Sequence, residues 1–156
     1  MDSLYDEDIV LWSEQQAALL RRRAAGELVN DAALDWSNIA EEIESVGTEQ
    51  RLAFQSHMLQ AILHILKAAA WPHSREVPHW RSEAMLFRSQ AADRYLPSMR
   101  QRLDLDHLYA QALRAMPTTI DGQPPLPVSR TCPVTLEALL GDDELMFDAE
   151  RDSDPS

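Results

Sequence analysis

The sequence predicts an all-α protein, a single-domain helical bundle of about five main helices plus a short C-terminal helix, and three observations carry that expectation. Ala, Leu, Glu, Gln and Arg dominate the 156 residues, and all five favour helix. Only 4 glycines interrupt them, and Val and Thr are sparse for a sheet protein. Apolar residues return every three or four positions through successive segments, the period of a helix with one face turned inward. Residues 1–141 are assigned to the bundle and residues 142–156 to an acidic, mobile tail.

The first predicted helix covers residues 6–25. Asp6, Glu7 and Asp8 suit the positive end of its dipole, and Ser3 with Asp6 has the spacing of a weak capping box. Ile9, Trp12, Gln16, Leu19 and Arg23 form one line along it, widened by Leu11, Ala18 and Leu20. Arg21, Arg22 and Arg23 crowd the last turn, where cations complement exposed carbonyls, so they read as a helix terminus rather than a phosphate site; Gly26 can end the helix. A second helix starts near Asn30 or Asp31 and runs to Ser45, with Trp36, Ile39, Ala40, Ile43 and Val46 as its core stripe. Gly47 followed by Thr48 reads as a stop and a fresh cap, or as one long helix that carries the glycine at a cost of about 1 kcal/mol.

The third segment, residues 49–70, is the most apolar. Leu52, Leu59, Ile62 and Leu66 form one row and Phe54, Met58, Ala61 and Ile65 the next, which places this helix at a bundle centre. Trp71-Pro72 ends it, because a residue before proline avoids helical angles. Pro78 fits the first turn of a fourth helix with the stripe Trp80, Ala84, Phe87, Ala91 and Tyr95. Ser98 is expected to cap a fifth, whose Leu105, Leu108, Tyr109, Ala112, Leu113 and Met116 face inward. Residues 117–130 hold four prolines and Asp-Gly, an extended connector with little regular structure. Thr131 or Thr135 can cap a short last helix that ends at Leu140-Gly141, and Leu145, Met146 and Phe147 are the apolar cluster of the tail.

Composition narrows the function classes. One cysteine, Cys132, excludes an internal disulfide framework and fits a reducing cytosol. No apolar run reaches the roughly 20 residues a membrane span needs, and the acidic start lacks the basic and apolar regions of a signal peptide. The expectation is a cytoplasmic protein without a membrane partner. Net charge is −12: −9 over residues 1–50, +4 over residues 51–120 and −7 over the remainder. Phosphate-binding proteins present a basic footprint. Acidic flanks around a mildly basic middle disfavour nucleic acid, and they fit acidic outer segments paired internally with the middle.

Several motifs occur in order: Tyr5-Asp-Glu-Asp8, Leu11-Trp12, Ala18-Leu-Leu-Arg21, Leu34-Asp35, Glu41-Glu-Ile-Glu-Ser45 with Gly47, and His64-Ile-Leu-Lys67. Ser74, Trp80-Arg81, Leu96-Pro-Ser98 and Cys132-Pro-Val-Thr-Leu-Glu137 follow. Their order and spacing resemble the bacterial domain-of-unknown-function family numbered twenty-nine, over about residues 4–141. The resemblance implies an all-helical bundle from a bacterium and no established activity. One departure is Trp71-Pro72, where the family often carries Gln-Pro.

The same motifs supply the candidate site: Glu41, Glu44, His64 and Lys67, with Trp12 and Trp36 beside them. Glu41 and Glu44 share one side of a helix and Glu42 points away; a carboxylate at the edge of a buried stripe can bind a metal, act as a base, or accept from a Trp or Arg. The bland alternative is a solvated acidic face pairing with Arg51 or the arginines of the fourth helix. His57 and His64 lie about 10.5 Å apart along a helix axis, too far to share one ion directly. Lys67, three residues after His64, can hold an anionic group, although a lone helix histidine is more often packed than ligating. Glu76-Val-Pro-His79 has the spacing of dimetal bundles, but Pro78 and the lack of a second copy argue against that use. Cys132 has no adjacent histidine, and no phosphate loop, nucleophile elbow or zinc helix is present. Tyr5, Trp12 and Trp36 can close one end of the bundle over the glutamates.

These readings rank a non-enzymatic protein-interaction module first, with a protein partner or its own oligomer as occupant and no cofactor or metal. The alternative is a small helical-bundle enzyme, metal- or ligand-binding protein using Glu41, Glu44 and His64, with Lys67 as anion contact. Nucleic-acid binding through Arg75, Arg81, Arg88 and Arg102 ranks third.

Overall fold

The computed structural model describes residues 3–147, and its fold is all-α. Among these residues the one β feature is an isolated bridge between Ile120 and Gln123. The chain forms two compact units that divide between Glu49 and Gln50.

The first unit opens with two helices where one was expected, α1 (Leu4–Glu7) and α2 (Ile9–Ala24). Ser3 and Asp6 close a reciprocal capping box at the start of α1. The break falls at Asp8, whose extended backbone ends α1 while its carboxylate accepts from the Leu11 N–H and caps α2. Arg21, Arg22 and Arg23 do occupy the last turn of α2; Arg22 pairs with Glu27 at 2.7 Å, and Arg23 pairs with Asp31. Asn30 caps only a 3₁₀ turn, Asp31–Ala33, so the next helix starts later than the sequence suggested. Trp12, Leu34 and Ile39 form the buried centre, with Leu4, Tyr5, Leu19, Leu20 and Val29 against it. Ile9 and Leu11, expected on the inner face of α2, are exposed.

The second and third predicted helices are one helix, α3 (Trp36–Ala70), whose first part belongs to this unit. Gly47 lies inside it without a helix break, and a Cβ there would meet nothing within 4 Å. Its conformational cost is thus carried rather than used.

In the second unit the later part of α3 packs with α4 (Val77–Arg94) and α5 (Leu105–Ala115). Phe54, Met58, Ile62 and Leu66 of the two apolar rows are fully buried, whereas Leu52, also expected there, is 54% exposed. The buried residues meet Ala84 and Ala91 of α4, and Leu108, Tyr109 and Ala112 of α5. Pro78 sits in the first turn of α4 as expected, whereas Ser98 caps nothing. Pro97–Arg102 is a 3₁₀ helix, and the Asp104 carboxylate caps α5 by accepting from the His107 N–H.

The proline-rich connector is irregular yet anchored. Trp71 Nε1 donates to the Gln123 carbonyl at 2.9 Å, Leu126 N–H to Ala70 at 2.9 Å, and Tyr109 Oη to Ser129 at 2.6 Å. Asp121 and Gly122, both at positive φ, make the turn between Ile120 and Gln123. Thr135 caps α6 (Leu136–Leu140), with Leu136 and Leu139 buried. The expected boundary at residue 141 does not mark the end of packing. Leu145 and Phe147 lie against the core, and Glu144 pairs with Arg81 at 3.9 Å. Residues 148–156 of the expected tail lie outside the described residues.

Candidate functional site

In the first unit the polar centre is Asp35, immediately before α3. Its carboxylate accepts from Trp12 Nε1 at 3.0 Å and from the Asn38 side-chain amide at 2.8 Å. The Asn38 side chain first, then Trp12 and the Asn38 backbone, hold its pKa below the ordinary carboxylate value against the opposing effect of burial. Gln16 fixes the same turn from α2, donating to the Ala33 carbonyl at 3.2 Å and accepting from the Asp35 N–H at 2.8 Å. Trp12 is thus buried with its indole N–H satisfied.

Tyr5 lies edge-on to Trp12, 4.9 Å between centroids, and donates its hydroxyl to Glu42 at 2.6 Å. That bond raises the Tyr5 pKa from 10.0 to about 12, with smaller contributions from burial and from the charges of Glu42, Glu41 and Asp6. A folded-state value above the unfolded one means that the bond contributes fully below pH 10 and is lost as pH rises towards about 12. Tyr5 is therefore expected to ionise late in a residue-resolved phenolate titration, and Glu42→Gln should bring it back towards 10. A Tyr5 that titrates near 10 in the wild type would show that the bond does not hold in solution.

Glu42 rather than Glu41 or Glu44 is thus the glutamate with a partner. Glu41 and Glu44 are exposed and make no ion pair among the described residues. Trp36 is also outside, 48% exposed, with the Arg23 guanidinium over its ring at 5.6 Å. Ile43 and Val46 correct the expected stripe more strongly, at 69% and 62% exposed. Ile39 finds Trp12 and Leu34, whereas on the next turn Tyr5 meets only the Glu42 side of α3 and leaves Ile43 and Val46 uncovered.

His64 and Lys67 belong to the second unit. His64 Nδ1 is 2.7 Å from the Gln60 carbonyl one turn earlier, and its ring lies 5.5 Å from Phe87. Lys67 Nζ stands 5.0 Å from the centre of the Trp80 ring. Burial lowers the Lys67 pKa and Glu76 partly restores it. Glu41 and Glu44 thus belong to the first unit and His64 and Lys67 to the second. No group of three or more His, Cys, Asp or Glu among the described residues is arranged to hold a metal. Burial pushes the Cys132 thiol up, and Sγ lies 3.4 Å from the Val134 carbonyl, the setting of a packed rather than a nucleophilic cysteine.

Arg88, offered above as a phosphate contact, is 2% exposed and wholly engaged inside. Nε donates to Leu139 at 2.8 Å, Nη1 to Asp143 at 2.7 Å, and Nη2 to Ala138 at 3.0 Å and Gly141 at 2.6 Å, all backbone carbonyls. The guanidinium caps the C-terminal end of α6. Burial lowers its pKa, while Asp142 and Asp143 act against that shift. The signal was present in the sequence: Arg88 stands four residues after Ala84, on the inward stripe of α4.

No helix among the described residues is long and apolar enough to cross a membrane. No curated protein matches the chain at a significant level. An α-helical protein of unknown function from Rhodospirillum rubrum, known from a crystal structure at 1.45 Å resolution, is similar in fold and sequence. Its TM-score is 0.64 at 26% identity, with 92% of each chain covered. The model of the family described as "Domain of unknown function DUF29" matches residues 4–145, so the chain belongs to that family, as the Tyr5, Glu41–Ser45 and His64–Lys67 motifs implied.

Proposed function

We propose that the protein is a non-enzymatic interaction module and that the exposed stretch of α3 in its first unit seats a basic amphipathic helix of another protein. The carrying observation is the exposure of Ile43 and Val46, at 69% and 62%, on consecutive turns of a helix. Ile43, Val46 and Gly47 fall within about 100° of helix surface. Glu42 and Glu49 run along one edge of that strip and Glu44 along the other. An apolar strip with acidic borders complements a helix with apolar anchors and Lys or Arg flanks. The net charge of −9 over residues 1–50 favours such a partner and disfavours a second copy of the same acidic face.

The test uses a synthetic helical peptide with Leu on one face and Lys along both edges, together with its Glu-for-Lys counterpart. The wild type should bind the basic peptide, more weakly as salt is raised, and should ignore the acidic one. Ile43→Glu with Val46→Glu, both on the surface, should keep the helical content and lower the affinity at least about tenfold. Equal binding by the double variant, binding of both peptides alike, or concentration-dependent self-association through this strip in sedimentation would overturn the reading.

A further inference from the structure

We propose that a cavity in the second unit binds a small amphipathic carboxylate, with Arg81 as the anion contact. The cavity, about 160 Å³, lies between α3, α4 and the segment Glu144–Phe147. Small side chains make the space: Ala68 and Ala69 on α3 face Ala84 on α4, and Ile65, Met85 and Leu145 supply apolar walls. An apolar cavity of about 150 Å³ accepts a benzene ring. This one therefore suits a ring or a short chain rather than a larger cofactor.

Charge around the cavity selects the sign of the ligand. Arg81, Arg88 and Glu144 are its charged lining residues, two cations against one anion. The donors of Arg88 are spent on backbone carbonyls and its charge faces Asp142 and Asp143, which leaves Arg81 as the cation for a ligand. Arg81 is held only loosely, 3.9 Å from the Glu144 carboxylate and 3.8 Å from Met146 Sδ, with its side chain 49% exposed. A carboxylate entering beside Arg81 replaces a long contact with a short bidentate one, and its apolar body fills the alanine-lined hollow. Glu144 then acts as a built-in competitor for Arg81.

Benzoate titrated into the whole protein and followed by backbone amide shifts provides the test, with benzamide as its neutral analogue. Benzoate should give saturable shifts centred on Ala68, Ala84 and Leu145, with a Kd of about 1 mM or tighter. Arg81→Gln should weaken it about tenfold, whereas Glu144→Gln should tighten it. Ala68→Met, which fills the hollow, should abolish it while the remaining spectrum stays folded. Benzamide should bind at least about tenfold more weakly than benzoate. No saturable shift, equal binding of benzamide and benzoate, or indifference to Arg81→Gln would overturn the proposal.

Discussion

Arg88→Met is expected to destabilise the second unit by about 3 kcal/mol or more and to release the chain after α5 before the rest unfolds. The substitution keeps most of the apolar stem but leaves the carbonyls of Ala138, Leu139, Gly141 and Asp143 without their shared donor. Hydrogen bonds to a charged group are worth more than neutral ones, and an unpaired carbonyl on buried Leu139 costs more than one on exposed Gly141 or Asp143. Five-residue α6 cannot persist alone, since a helix of that length does not repay its own nucleation. Amide exchange should therefore accelerate through Leu136–Leu140 under conditions where Phe54 and Ile62 stay protected, and urea unfolding should report the global loss. Arg88→Lys should recover only part of it, because an ammonium cannot span four carbonyls as a planar fork does. Unchanged exchange in α6 would show that the side chain is incidental to docking.

Phe54→Ala is expected to cost about 3–5 kcal/mol, the range for removing a buried ring. Phe54 is fully buried, and its ring lies 5.5 Å from that of Tyr95 at a tilt of 48°. Alanine removes both the transferred area and the ring pair, and the helices around it cannot close the gap without moving Met58 and Ala91 as well. Phe54→Leu should retain most of the stability, with a loss below about 1.5 kcal/mol, because volume and apolar character are nearly kept. Chemical unfolding of the two variants side by side separates ring volume from mere hydrophobicity. A Phe54→Ala variant as stable as the wild type would mean that this position is outside the core.

The helical class and the core of the second unit were legible because their signal is periodic: Phe54, Met58, Ile62 and Leu66 recur at four-residue intervals and are all buried. The same period misled at Ile43 and Val46. Periodicity identifies a face of a helix, but it does not say whether an element of the chain covers that face. Gly47 was ambiguous for a related reason, since a glycine with open space around it neither forces a turn nor forbids a helix. Cap residues near short helices were partly misplaced. Asn30 and Ser98 have the right chemistry, yet they adjoin 3₁₀ turns, and Asp35 and Asp104 mark the real entries to α3 and α5. Of the candidate site, Trp12 is buried and bonded to Asp35, which the Leu34-Asp35 motif contains without pointing to that partner. Long-range partners such as Tyr5 with Glu42, 37 positions apart, carry no local spacing by which to find them.

Trp71, Arg88 and Tyr109 share one habit: each donates from a helix, or a helix end, to peptide oxygens between Gln123 and Asp143. A peptide oxygen is the same whichever amino acid carries it. Such fastenings hold a path in space while leaving its lettering free, so evolution can rewrite the exterior of residues 120–143 without loosening them. Exchange of Arg88, by contrast, removes at one stroke the donor shared by four of those oxygens.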